Sequence, residues 1–191
     1  MARRSDHTKE ELRGLAIQCG IELIEEKGFS KFSARAVATK MGYTVGTLYH
    51  VFGNLDQFIL QINATTLDRW LEELRKNILQ RKGSPVKILA EGYVRFAKNN
   101  TQLFTALFEH RWENANEIPS WYVEKMESFF ILLEEALNEA LKDRKKAKRL
   151  AKILWSSIHG ITVLSLSGKL ELTRSESETK MIEYLLEKLV V

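Results

Sequence analysis

Cysteine occurs once in these 191 residues, proline twice and glycine ten times. A lone thiol, Cys19, cannot close a disulfide within the chain and fits a reducing compartment. So few prolines and glycines cannot supply the many turns of an all-β protein. No apolar run approaches the ~18–20 residues a membrane span needs. The opening MARRSDHTKEELR has no apolar stretch behind its basic residues, as a secretory signal would. These absences predict a cytoplasmic protein without a membrane partner.

Acid is missing too, but only locally. No Asp or Glu stands between Lys27 and Leu55, a stretch that holds Lys27, Lys31, Arg35, Lys40 and His50. Elsewhere the two signs are mixed, and the net charge is +4. An acid-free stretch of this length reads as a solvated face or as a surface turned to phosphates. The hydrophobic share of 45% is ample for a core.

What is present is helical periodicity. Thr8-Lys9-Glu10-Glu11 has the form of a capping box, and Leu12, Leu15, Ala16, Cys19, Leu23 and Ile24 follow at three- and four-residue spacing. Gly28 stops this first helix. Ser33 caps a second that runs through Lys40, Gly42 makes a turn, and Thr44 caps a third from Val45 to about Phe52. A long fourth helix starts near Leu55. Ser84-Pro85 opens a fifth that ends near Lys98, and a shorter sixth holds Leu103 to Phe108. Glu113 to Ile118 reads as a loop, and Pro119 opens the seventh helix. Asp143 to Lys146 reads as a charged connection before an eighth helix from Ala147 to about Ser167. Thr173-Arg174-Ser175-Glu176 is a second candidate capping box before the last helix. The expected fold is therefore all-α, about nine helices, with a three-helix domain over residues 1–53 and a helical domain over 54–191.

Two short helices joined by a glycine turn form a helix-turn-helix, whose second helix enters a major groove. The outer positions of the third helix are small or hydroxylic: Thr44, Gly46 and Thr47. Such a helix lets its backbone approach DNA closely. Tyr49, His50 and the two threonine hydroxyls can donate to phosphate oxygens, while Ser33 and Arg35 open the second helix, where free amides favour an anion. The set grips phosphates more than it reads bases.

The segment resembles the N-terminal signature of the tetracycline-repressor (TetR) family of bacterial regulators. It offers Gly28-Phe29, then SARAVA from Ser33, then GYTVGTLYHVF from Gly42. The resemblance covers about residues 8 to 60. It implies DNA contact by Ser33, Arg35, Thr44, Thr47, Tyr49 and His50, with Val45 and Gly46 at base edges. One departure stands out: the family usually places Lys just after the motif's Phe, where this chain has Leu55 followed by Asp56. The side chain of Asn54 and the amides of the fourth helix are then the expected substitutes. Arg3, Arg4 and Lys9 precede or open the first helix and form either a DNA-reaching arm or a solubilising tail.

The same resemblance implies a C-terminal domain that binds a small molecule and dimerises through the last two long helices. Trp155, Ile158, Ile161, Val163, Leu164, Leu166 and Leu170 make the eighth helix region apolar on more than one side, which suits a helix buried by a core and by a partner copy. The run WSSIHG is similar to a Trp-x-x-x-His-Gly sequence of one TetR branch. His159 then either polarises a ligand or is a packed, hydrogen-bonded histidine beside a close helix crossing at Gly160. Aromatic residues cluster between Tyr93 and Phe130, and Tyr93, Phe96, Phe108, His110, Trp112, Trp121, Phe129 and His159 are the candidate ligand-binding residues.

No metal-ligand spacing joins His7, His50, His110 and His159, Cys19 has no histidine near it in sequence, and no nucleotide fingerprint occurs. The expectation is a non-enzymatic regulator without a cofactor. It would be a repressor that a small molecule releases from a palindromic double-stranded operator. The alternative is a helical ligand-binding or adaptor protein that does not bind DNA.

Overall fold

A computed structural model describes residues 7–110 and 118–190. Arg3, Arg4 and Trp112 lie outside these residues, as does most of the loop expected from Glu113 to Ile118. The described residues form ten α-helices and a short 3-10 turn: α1 Lys9–Lys27, the turn Phe29–Lys31, α2 Ala34–Met41, α3 Val45–Phe52, α4 Leu55–Gln80, α5 Pro85–Asn99, α6 Thr101–Glu109, α7 Ser120–Leu141, α8 Arg144–Leu166, α9 Lys169–Leu172 and α10 Glu178–Val190. They fall into two compact units. One is the chain through Leu67 with Gln102–Tyr122, and the other is Asp68–Thr101 with the chain from Val123 onward.

In the first unit local chemistry and packing agree. Thr8 Oγ1 accepts from Glu11 N at 3.2 Å and Thr8 N donates to Glu11 Oε2 at 2.6 Å, so the capping box closes α1 at its start. Those two bonds hold the Glu11 carboxyl below its ordinary value. Ala16, Cys19, Leu23 and Ile24 are buried, and burial raises the Cys19 thiol. They form one core with Ala34 and Val37 of α2, Leu48, Val51 and Phe52 of α3, Phe58 and Ile62 of α4, and Leu103 and Ala106 of α6. Gly20 permits this packing. A side-chain carbon there would stand 2.5 Å from Ile62 Cδ1, so the Ile62 side chain of α4 rests directly on the backbone of α1.

In the second unit Trp70 is the centre. Its ring stacks on Phe96 at 4.5 Å and meets Tyr93 at 4.8 Å and Phe129 at 5.0 Å. Rings of this kind add edge and face attraction to the area they bury.

Three expectations for the last helices need correction. α8 starts at Arg144, because the Asp143 side chain accepts from Lys146 N at 2.9 Å; the charged connection is the first turn of the helix. A tenth helix, α9, holds Leu170, which is buried there and is not part of α8. Thr173 is not the N-cap of the last helix but the C-cap of α9. Its hydroxyl donates back to Leu170 O and shares a bond with Ser175 Oγ at 2.6 Å, and α10 begins only at Glu178.

Candidate nucleic-acid interface

The pair α2–α3 is assembled by its caps. Ser33 Oγ accepts from Ala36 N at 3.2 Å, and Thr44 Oγ1 accepts from Thr47 N at 3.3 Å. Between them Gly42 takes φ 75°, the left-handed geometry of a helix stop, and donates to Ala38 and Thr39 carbonyls. Leu48, Val51 and Phe52 then fix α3 on the core by one face.

The opposite face is open. Ser33, Arg35, Thr44, Gly46, Tyr49 and His50 are exposed, and Val45 and Thr47 are half-buried. Tyr49 keeps 41% of its surface in water, unusual for a ring among buried neighbours. A capping hydroxyl spends a lone pair and retains its proton, so Ser33 and Thr44 can cap and still donate outward. Thr44 Oγ1 also lies 3.1 Å from Thr47 Oγ1, joining the two hydroxyls in one polar patch. Gly46 has ordinary space around it, with Thr44 Oγ1 at 3.6 Å from a built carbon. Its bareness therefore serves the exterior rather than the core.

Two residues behave differently from the sequence expectation. Lys40, counted among the cations of the acid-free stretch, turns to α1. Its Nζ lies 2.7 Å from Glu26 and 3.2 Å from Glu22, and those bonds raise its affinity for the proton. The acids that neutralise it precede the stretch in sequence, which is why a linear charge map misses them. Asn54 is likewise engaged, its Oδ1 accepting from Gln57 N at 2.8 Å to cap α4, while Leu55 packs half-buried against the core. An additional contact was not foreseen: His7 Nδ1 and Tyr43 Oη lie 2.8 Å apart, tying the start of the chain to the residue before Thr44. Lys9 is exposed at the first position of α1.

The candidate ligand residues divide between the units. Phe108, His110 and Trp121 belong to the first unit. There His110 meets the Phe29 ring edge-on at 6.2 Å and lies 3.4 Å from Asp56, and burial lowers its imidazole. Tyr93, Phe96, Phe129 and His159 belong to the second. Tyr93, Phe129 and Trp155 line a small cavity of about 20 Å³ with Leu89 and Ile158, and Tyr93 Oη lies 2.8 Å from His159 Nδ1. Burial lowers His159 and raises Tyr93 above its ordinary range, so the ring is neutral and the phenol keeps its proton to donate. The Trp155 ring stacks on His159 at 5.5 Å. The Trp-x-x-x-His spacing thus puts both rings on one side of α8, where Tyr93 of α5 joins them. Gly160, expected at a close helix crossing, has nothing within 4 Å of a built carbon. Among the described residues that crossing does not exist. Among the described residues no cluster of His, Cys, Asp and Glu is placed to hold a metal.

Two family models match the chain. One, for the bacterial regulatory proteins of the tetR family, covers residues 17–62; the other, for the tetracyclin repressor-like C-terminal domain, covers residues 86–189. The chain belongs to the TetR family. It is accordingly a DNA-binding transcriptional regulator. Solved structures agree on the fold. A protein of unknown function from Rhodococcus sp. RHA1 superposes with TM-score 0.77 at 18% identity over the full length of both chains. A TetR transcriptional regulator from the same organism reaches 0.64 at 16%, over 96% of this chain and 98% of that one. FadR from Bacillus subtilis, in complex with stearoyl-CoA, reaches 0.64 at 16%, over 93% and 97%. No curated protein matches.

Proposed function

We propose that this TetR-family chain represses transcription from a palindromic operator and leaves it when a small molecule binds. The observation that carries the reading is the outer face of α3, hydroxyl-bearing and bare at Gly46, on a helix whose other face is locked into the core. In this reading Ser33, Arg35, Thr44, Thr47, Tyr49 and His50 hold phosphates, and Val45 and Gly46 lie at base edges. Residues 1–53 serve as the DNA-binding domain and residues 54–191 as the ligand-binding and dimerisation domain.

The dimer forms through α8 and α10. Ile153, Val163 and Leu164 of α8 and Tyr184 of α10 are large hydrophobic side chains left exposed, and Gly160 among them leaves room for a second helix. Two copies of α3 about 34–36 Å apart would enter successive major grooves. For the effector, the aromatic cluster of Tyr93, Phe96 and Phe129 with the Tyr93–His159 hydrogen bond supports an apolar molecule with one polar group, and the cavity of about 20 Å³ beside it would have to widen to admit one. That FadR was solved with stearoyl-CoA supports small-molecule binding on this fold. The effector can shift DNA binding only by its differential affinity for the two states. No helix among the described residues is long and apolar enough to cross a membrane; with the single free Cys19, a cytoplasmic setting is consistent.

Fluorescence anisotropy with the chain's own upstream region and with random duplex tests this. Affinity should fall steeply as salt rises, and the upstream region should bind tighter than random duplex. Binding that is absent, or flat against salt, overturns the proposal.

A further inference from the structure

The chain has net charge +4, yet from Lys142 to Lys152 seven Lys or Arg stand against a single Asp, so the remainder of the molecule is net acidic. Residues 1–53, by contrast, hold eight Lys or Arg against six Asp or Glu. Most of the positive excess of this regulator therefore lies around the start of α8, in the second unit, rather than at α3. All seven cations are exposed, and none enters an ion pair among the described residues. Asp143 is already engaged, its side chain accepting from Lys146 N at 2.9 Å to cap the helix.

Local physics opposes this arrangement. Cations in the first turns of a helix meet the positive end of its dipole. Arg144 and Lys148, Lys145 and Arg149, and Lys148 and Lys152 are like charges four residues apart, which repel along one face. Lys142 takes φ 53°, a left-handed geometry that glycine adopts freely and lysine does not. None of these placements helps the fold, so their use lies outside it.

The surroundings narrow the partner. From Lys142 to Lys152 the apolar side chains are Ala147 and Ala151, both buried, and the half-buried Leu150. A protein partner would need an apolar patch at the centre of the contact, and a membrane would need apolar side chains to enter it. A phosphate backbone needs only cations. Arg144 to Lys152 spans about 12 Å of helix, a length over which a duplex carries about seven charges.

We propose that the start of α8 is a second, sequence-independent site for duplex DNA, on which Lys145, Arg149 and Lys152 meet phosphates. It loads independently of α3 and uses none of the operator contacts assigned above, so it stands whether or not the chain represses.

The test is fluorescence anisotropy in about 50 mM salt. The full chain is saturated with unlabelled upstream duplex, and a labelled random duplex of about 20 base pairs is added, long enough to cover the basic face. The loaded protein should still bind it saturably, in the micromolar range of contacts to phosphate alone, and lose it as salt rises. Lys145→Gln with Arg149→Gln and Lys152→Gln should weaken this second binding about tenfold or more and lower its salt slope by about three. Arg69→Gln with Arg75→Gln and Lys76→Gln removes the same charge from exposed positions of α4 and should change the binding about twofold at most. The α8 variant should match the unaltered chain in circular dichroism, in sedimentation and in affinity for the upstream duplex alone. No second binding by the loaded protein, equal losses in the two triple variants, or an α8 variant that alone falls to monomer would each overturn the proposal. So would poly-glutamate or phosphatidylserine vesicles that compete as well as unlabelled duplex, which would assign the helix to an acidic protein or a membrane. If the upstream duplex does not bind at all, the operator reading falls, and the random duplex with the two variants decides this site by itself.

Discussion

The outer faces of α3 and α8 make an instructive pair. Both are exposed on helices whose inner faces are well buried, and both have a glycine with room for a side chain, Gly46 with only Thr44 Oγ1 at 3.6 Å and Gly160 with nothing within 4 Å. They differ in the atoms they show. α3 presents hydroxyls and an imidazole, groups that donate to phosphate. α8 presents the carbon of Ile153, Val163 and Leu164, which water does not reward. Exposure alone names no partner; the donor content of the exposed atoms does, pointing one face at a polyanion and the other at another hydrophobic surface.

The comparison breaks most readily at α8. Leu164→Glu should leave the fold intact, convert the dimer to monomer by sedimentation, and lower operator affinity about a hundredfold or more, since one half-site must then bind alone. If the variant stays dimeric, the exposed carbon of α8 has another use. On α3, Tyr49→Phe should weaken all duplexes about tenfold with little change in sequence preference, because the lost donor meets phosphate. A changed preference at equal affinity would move Tyr49 from backbone to bases. Arg35→Gln should reduce the salt slope by about one. Lys40→Gln should leave that slope nearly unchanged, because Glu22 and Glu26 already neutralise the lysine; equal slopes for the two variants would show that Lys40 lets go of α1 on DNA.

The smallest effect concerns acid. His159 and His110 are both lowered by burial, so the unfolded chain binds more protons just below the ordinary imidazole value of 6.5. Their contribution is fully present above that value and declines as pH falls through the lowered ones. Urea midpoints should drop between pH 7.5 and 5.5, and His159→Gln should flatten part of the drop. An unchanged pH dependence in that variant would mean that His159 already titrates in the folded chain as it does when unfolded.

Much of this was readable before any coordinates. The Thr8–Glu11 box, the Ser33 and Thr44 caps and the Gly42 stop are local devices in which sequence spacing is spatial spacing, and the first three helices start where those signals fall. The exposure of Tyr49 follows from the burial of Leu48, Val51 and Phe52 on the opposite side of a two-turn helix. What escaped was decided across distance. Lys40 meets acids fourteen and eighteen positions earlier, and Tyr93 meets His159 sixty-six positions later. The Thr173 box failed for a different reason. Its hydroxyl satisfied Leu170 O instead of an amide ahead, a competition that residue identity cannot settle.

The contact at Gly20 has a mechanical consequence. With the Ile62 side chain seated directly on the backbone of α1, only one layer of side chains lies between the two helices at that point, and close-packed interiors yield little. A push delivered to the first half of α4 therefore reaches α1 with almost no slack, and α1 carries α2 and α3 on the same core. A methyl group in place of that hydrogen would have to displace the end of the Ile62 side chain, and with it the fit of α4 against the first three helices.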